Sequence, residues 1–247
     1  MWPFRARVDR SRPVRSRTYG ESPRAVQSLA RAATFTVVWA AVLFGAISIA
    51  GLLGAAERPI SIVALGDSLT AGFGLPSEKS FPARLAQALR DKGTAVDVIN
   101  AGVSGDTAAD GAARLDWSVP EGTDAVILEL GANDALRGID PKLTRAALES
   151  ILRQLNERHI AVLIAGMRAP RNMGAVYIAA FDAIFPELAS AYGAAYYPFF
   201  LDGVATDRTL NQPDGLHPTA AGIDAIVMRM LPKVEELIGR VRDARGS

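Results

Sequence analysis

Ile60-Ser61-Ile62-Val63-Ala64-Leu65-Gly66-Asp67-Ser68-Leu69 is an apolar, β-branched run that ends in a glycine and then turns polar. Such a run reads as a buried strand followed by a sharp turn. A serine at a strand-to-helix turn projects its hydroxyl into the crevice beyond the strand's C-terminal end, where open α/β sheets bind ligands. A serine hydroxyl is a weak nucleophile until a neighbouring base takes its proton. The reading of Ser68 therefore depends on whether the chain supplies that base.

Few residues can do so. The chain has two histidines, His159 and His217, and no cysteine. Cysteine nucleophiles, disulfides and thiolate metal sites are excluded, and a zinc site built from several His or Cys ligands is disfavoured. His217 lies in Asp214-Gly215-Leu216-His217-Pro218, just before a C-terminal helical stretch. An acid three residues ahead of a histidine on one loop can accept the Nδ1 proton, leaving Nε2 to face a serine. On its own, Asp-x-x-His is equally compatible with a capped surface helix. His159 directly precedes the apolar run Ile160-Ala161-Val162-Leu163. That position is at the opposite end of a parallel sheet from the strand C-termini, so His159 reads as structural.

Two further loops fall after apolar runs. Asn100-Ala101-Gly102-Val103-Ser104-Gly105-Asp106-Thr107 and Gly131-Ala132-Asn133-Asp134 are glycine-flanked and polar. At strand C-termini both would share the rim with Ser68. Acyl transfer needs donors aimed at a developing oxyanion, and the Gly105 backbone N–H and the Asn133 side-chain amide fit that need. Asp67 is read as bracing its own turn, Asp106 and Asp134 as tying their loops together, and Gly102 and Gly131 as serving backbone geometry. Gly72-Phe73-Gly74 has Ser77 where a dinucleotide fingerprint needs a third glycine, and no Walker A pattern occurs. Thr70 stands where the Gly-x-Ser-x-Gly elbow of an α/β-hydrolase needs glycine.

From residue 57 onward, apolar runs at 60–65, 95–99, 125–130, 160–165 and 194–200 alternate with helical stretches near 80–91, 107–116, 141–158, 174–192 and 218–239. Phe81, Leu85, Ala88 and Leu89 mark one helix face, with Ser80 as N-cap and Pro82 in the first turn. Leu143, Ala147, Leu148, Ile151, Leu152 and Leu155 give another helix an inward face. Five strands alternating with helices predict an α/β domain whose parallel sheet is covered on both sides. Residues 57–247 are enough for one domain with a real core.

The N-terminus is different. Residues 32–56 carry no charge, and as a helix they would span roughly 37 Å, enough to cross a hydrocarbon core of about 30 Å. Residues 1–31 hold eight arginines against Asp9 and Glu21. The positive-inside rule keeps this basic leader cytoplasmic and exports residues 57–247 to the periplasm. The run is either a transmembrane anchor or a signal-peptide helix cleaved after Ala56. Gly54-Ala55-Ala56 suits signal peptidase, while the length of the run favours a retained anchor. The chain's net charge of +1 divides into +6 for the leader and −5 for residues 57–247. The exported domain thus offers no basic footprint for nucleic acid.

Gly66-Asp67-Ser68-Leu69, the Gly105 loop, Gly131-x-Asn133-Asp134 and Asp214-x-x-His217-Pro218 resemble, in order and spacing, the four blocks of the SGNH (GDSL) hydrolase family. The resemblance covers roughly residues 60 to 240. Asn100–Thr107, Leu130–Gly138, Arg168–Gly174 and Pro198-Phe199-Phe200 are most similar to its bacterial periplasmic arylesterase branch, which includes thioesterase I/lysophospholipase. The resemblance implies a flavodoxin-like three-layer α/β/α sandwich with five parallel strands in order 2-1-3-4-5. It also implies Ser68 as nucleophile, His217 as base and then acid, and Asp214 as orienting acid. The oxyanion hole would be the backbone N–H groups of Ser68 and Gly105 with the Asn133 amide. No cofactor or metal is implied, and the substrate would be a small acyl ester or thioester, lysophospholipids included. In that branch the loop at 168–177 borders the acyl site, which nominates Pro170, Met173 and Tyr177; a plain loop leading into a helix is the equal alternative. Carbohydrate O-acetylester hydrolysis, envelope acyl transfer with the same residues, and a non-catalytic binding role remain alternatives.

Overall fold

The structure, a computed structural model, describes residues 58–246. The leader, the apolar run 32–56 and the cleavage position after Ala56 lie outside these residues. Among the described residues no helix is long and apolar enough to cross a membrane.

Five strands form one sheet: β1 (Ile60–Gly66), β2 (Val96–Gly102), β3 (Ala125–Glu129), β4 (Ala161–Ala165) and β5 (Ala195–Tyr197). They lie in the order β2-β1-β3-β4-β5, every pair parallel, as the alternating pattern and the family resemblance predict. Ile62, Val63, Ala64 and Leu65 of β1 are fully buried. Each such aliphatic side chain contributes roughly 1–3 kcal/mol by leaving water.

The helices are α1 (Ser68–Ala71), α2 (Phe81–Asp91), α3 (Ala108–Ala113), α4 (Leu115–Ser118), α5 (Ala132–Leu136), α6 (Pro141–Glu157), α7 (Ala175–Asp182), α8 (Ile184–Ala191) and α9 (Ala220–Gly246). α2 and α9 pack together on one face of the sheet, and α3, α6 and α8 cover the other. The chain runs from β1 outward to β2 and crosses back to β3, so the switch point lies between the C-terminal ends of β1 and β3. There two loops diverge and leave a crevice, and Ser68 opens one of them.

Local departures from the sequence-based expectation have identifiable causes. Leu143 points to solvent, and the buried residue of that turn is Thr144, whose hydroxyl donates to Asp134 Oδ1 at 2.9 Å. Ser80 occupies the N-cap position of α2, with Pro82 in the first turn. Its hydroxyl nevertheless donates to the Ser77 carbonyl (2.7 Å), which the preceding 3-10 turn Ser77–Lys79 presents to it. The stretch at 174–192 breaks into α7 and α8, because Pro186 lacks the N–H that would carry the ladder across the junction. The stretch at 107–116 divides at Arg114, after a helix capped by Thr107 and Asp110. The final helix runs on to Gly246, past Pro232. His159 sits exposed in the turn between α6 and β4 with a φ of 56°, at the end of the sheet away from Ser68.

Candidate active site

β1 delivers Gly66 to the rim, and the next residue caps a single helical turn. The Asp67 carboxylate accepts from the Leu69 N–H (2.9 Å), which starts α1 at Ser68. Ser68 itself is only partly buried. Its hydroxyl lies 2.9 Å from His217 Nε2, and His217 Nδ1 lies 2.7 Å from Asp214 Oδ2. The other Asp214 oxygen accepts the backbone N–H groups of Leu216 (2.9 Å) and His217 (3.0 Å). The His217 backbone N–H, the imidazole and the Leu216 N–H together hold the Asp214 carboxyl down to about 2. Asp214 therefore keeps its charge until the pH falls far below neutrality.

The loop carrying His217 is fixed from two sides. Gln212 donates its backbone N–H to the His217 carbonyl (2.7 Å) and its side-chain amide to Phe73 O (2.7 Å) and Pro218 O (3.0 Å). The Phe73 ring lies against the imidazole with centroids 4.5 Å apart. These contacts limit the ring to orientations that keep Nε2 toward Ser68.

Of the expected oxyanion donors, the two backbone groups are unengaged. Among the described residues, the backbone N–H groups of Ser68 and Gly105 have no acceptor within the protein. Gly105 holds a φ of 92°, and its carbonyl accepts from Arg137 Nη2 at 2.8 Å, which turns the peptide. Asn133 is also present, but its amide is already engaged. Nδ2 donates to Asp67 Oδ2 (3.0 Å) and to the Asp106 carbonyl (2.9 Å).

Beneath these groups lies a buried polar layer. Asp134 accepts from the Ala108 N–H (2.9 Å) as well as from Thr144, so it ties α5 to α3 and α6. Burial is the largest influence on Asp67 and raises its carboxyl to about 6, against the pull of the Leu69 N–H, His217 and Asn133. Glu129, the last residue of β3, is fully buried. Its Oε2 accepts from Thr70 Oγ1 (2.7 Å) and from the Asp67 N–H (3.3 Å), the residues on either side of Ser68-Leu69. Among the described residues its Oε1 has no partner. Burial, and next the charge of Asp67, push the Glu129 carboxyl well above the carboxylate range. A Cβ on Gly66 would collide with Thr70 Oγ1 and come within 2.5 Å of Glu129 Oε2. The first glycine of the motif is thus required by what packs against it.

Arg114 closes the layer. It is buried and donates through Nε to Asp106 Oδ2 (2.6 Å), through Nη2 to the Gly66 carbonyl (2.9 Å) and through Nη1 to Ser118 Oγ (2.9 Å). One planar guanidinium thereby sets the end of β1 against the Gly105-Asp106 loop. Glu129 and Arg114 do not stand out in the sequence. Their signal is a charge in an otherwise apolar setting: an acid closing the buried run Ala125-Val126-Ile127-Leu128, and an arginine within an alanine-rich helical stretch.

A cleft of about 210 Å³ opens beside Ser68, His217 and Asn133, with Leu136, Met167, Pro170, Phe199 and Leu201 along its apolar wall. Pro170 therefore borders the site. Met173 and Tyr177 line a neighbouring depression with Pro141 and Val176, and the Tyr177 hydroxyl donates to the Ile139 carbonyl (2.9 Å). His159 lies in a third concavity, with Tyr192 and Arg240, that contains none of these residues. Among the described residues, no group of three or more His, Asp or Glu side chains is placed to hold a metal ion.

Comparison with known proteins identifies the family. Residues 64–225 match the profile of the GDSL-like lipase/acylhydrolase family. The chain is 40% identical over 168 residues to an arylesterase of Vibrio mimicus, across 68% of this chain and 84% of that protein. It is 34% identical over 179 residues to thioesterase 1/protease 1/lysophospholipase L1 of Escherichia coli, across 72% and 85%. The crystal structure of AlinE4, an SGNH-hydrolase family esterase, superposes with a TM-score of 0.63 at 44% identity, covering 74% of this chain and 98% of that one.

Replacing Arg114 by Leu would leave the Asp106 carboxylate without a donor and the Gly66 carbonyl with the Val103 N–H alone. The expected cost is about 3 kcal/mol, read from chemical denaturation. Arg114→Lys can reach one acceptor but not the planar set, so it should recover only part of that loss. An unshifted denaturation midpoint in Arg114→Leu would show that the clamp carries no load.

Proposed function

Because the chain belongs to the GDSL-like lipase/acylhydrolase family, we propose that it is a serine esterase whose acyl-enzyme forms on Ser68. The observation that carries this reading is the hydrogen-bonded line Ser68–His217–Asp214, together with the backbone N–H groups of Ser68 and Gly105, which have no acceptor among the described residues. The family and the relatives named arylesterase and thioesterase support ester hydrolysis as the reaction.

The hydrogen-bonded line supports a two-step acyl transfer. Ser68 Oγ attacks the acyl carbonyl as its proton passes to His217 Nε2. Ionised Asp214, on Nδ1, stabilises the imidazolium that forms. The carbonyl oxygen becomes an oxyanion facing the N–H groups of Ser68 and Gly105. Asn133 contributes by sharing a proton now directed at Asp67 or Asp106. Collapse of the intermediate breaks the bond to the alcohol or thiol, which leaves with the His217 proton. Water, reaching the exposed side of the Asp214–His217 loop, then gives a proton to His217 and attacks the acyl group. The acid departs and Ser68 recovers its hydrogen.

The apolar wall of the cleft suits an aliphatic or aryl ester, and 210 Å³ suits a short or medium group. Acyl thioesters and lysophospholipids fit the same chemistry. The basic leader and the uncharged run 32–56 support export to the periplasm. Mass spectrometry of the mature N-terminus is expected to find residues 32–56 retained. A protein beginning at Glu57 would instead establish a cleaved signal peptide.

Ser68→Ala and His217→Ala are each expected to lower kcat for p-nitrophenyl butyrate at least about 10³-fold without changing the thermal midpoint by more than a few degrees. His159→Ala, at the far end of the sheet, should keep the wild-type rate. Substantial activity in Ser68→Ala would exclude this serine as the nucleophile.

A further inference from the structure

Arg168 takes no part in the acyl-transfer steps, yet it lines the same cleft as Ser68 and His217. The backbone on either side of it is pinned. Gly166 donates to Tyr197 O (2.8 Å) and accepts from the Phe200 N–H (2.8 Å), while the Ala169 N–H donates to Asp182 Oδ1 (2.8 Å). Met167 and Ala169 are buried. The Arg168 side chain leaves this fixed segment and lays its guanidinium over the Phe199 ring, 4.9 Å from the centroid. Among the described residues it forms no ion pair and donates no hydrogen bond.

The contrast with neighbouring arginines is informative. Arg114 is consumed by Asp106 and Gly66, and Arg137 by the Gly105 carbonyl. Asp67, the carboxylate lining the cleft, is engaged by Leu69 and Asn133, and Asp214 is engaged by its own loop and His217. Among the described residues Arg168 is therefore an unpaired cation, exposed and set over an aromatic face, at a cleft whose other lining is largely apolar. A guanidinium resting over a ring keeps its N–H donors free for an anion. Its fork matches the paired oxygens of a phosphate, sulfonate or carboxylate. A few well-placed polar groups in an apolar pocket fix orientation and select the ligand.

From this juxtaposition we propose that Arg168 is an anion subsite, and that preferred substrates are esters or thioesters carrying a negative charge near the reacting carbonyl. The inference rests on the serine-esterase reading. The anion can belong to the leaving group, as in a phosphodiester-bearing alcohol, or to the far end of the acyl group, as in a half-ester of a diacid. In either case the guanidinium binds the anion in the ground state and the transition state alike, so its contribution falls mainly on KM.

Three esters separate the possibilities: neutral p-nitrophenyl butyrate, 4-butyryloxybenzenesulfonate with its charge on the leaving group, and mono-p-nitrophenyl adipate with its charge on the acyl group. Arg168→Ala should lower kcat/KM on at least one anionic ester about tenfold more than on the neutral one, through KM. Arg168→Lys should restore part of that difference. A selective loss on the sulfonate places the anion on the leaving group, and one on the adipate places it on the acyl group. Equal factors on all three esters, or no change on any, would overturn the subsite while leaving the esterase reading intact. Failure of the wild-type protein to hydrolyse any of the three would remove the esterase reading and this inference with it.

Discussion

The 2.9 Å contact between Ser68 Oγ and His217 Nε2 joins residues 149 apart in sequence, and most of the architecture is needed to make it. Ser68 stands just past the end of β1, an interior strand of the sheet, and His217 stands in the loop before the last helix. A parallel sheet places both on one rim, because every strand ends there. Neither end is held by that contact alone. Gln212 ties the histidine loop to Phe73, just beyond α1, so the base is referenced to the segment that carries the serine.

The layer below the rim sets the direction of the groups above it. Glu129 takes the Asp67 N–H and the Thr70 hydroxyl, fixing the backbone on both sides of the serine. Arg114 sets the Gly66 carbonyl against Asp106, and Asp134 joins three helices. Such a layer is expensive to bury: an unpaired buried oxygen such as Glu129 Oε1 costs on the order of 1–3 kcal/mol. An apolar core of the same volume would be at least as stable. Violations of burial rules concentrate where a fold must hold a reactive group in one orientation. The apolar strands beneath the layer, fully buried along β1, supply the stability that offsets it.

Much of this is legible in the sequence. Period and composition place all five strands, and the spacing of Asp214 and His217 anticipates the bond on Nδ1. The scarcity of histidine leaves His217 as the one partner on the Ser68 rim. What the sequence hides has a common physical cause, since it depends on packing in three dimensions. Leu143 looks inward by periodicity, but the inward place belongs to Thr144 because Asp134 waits there as an acceptor. Ser80 holds the N-cap position, but its hydroxyl turns to the carbonyl that the preceding turn supplies. Glu129 and Arg114 gain meaning only when β3 and the Gly105 loop come together around Gly66. Of the residues nominated along 168–177, Pro170 faces the cleft, whereas Met173 and Tyr177 pack around the next loop and helix.

If this assembly activates Ser68 alone, covalent labelling will single it out. The folded protein would be treated with a fluorophosphonate, digested, and mapped by tandem mass spectrometry. One phosphonyl adduct is expected, on the peptide carrying Gly66-Asp67-Ser68-Leu69 and assigned to Ser68, absent when the protein is denatured before treatment. An adduct on another serine, or ester hydrolysis by a protein that takes up no label, would contradict it.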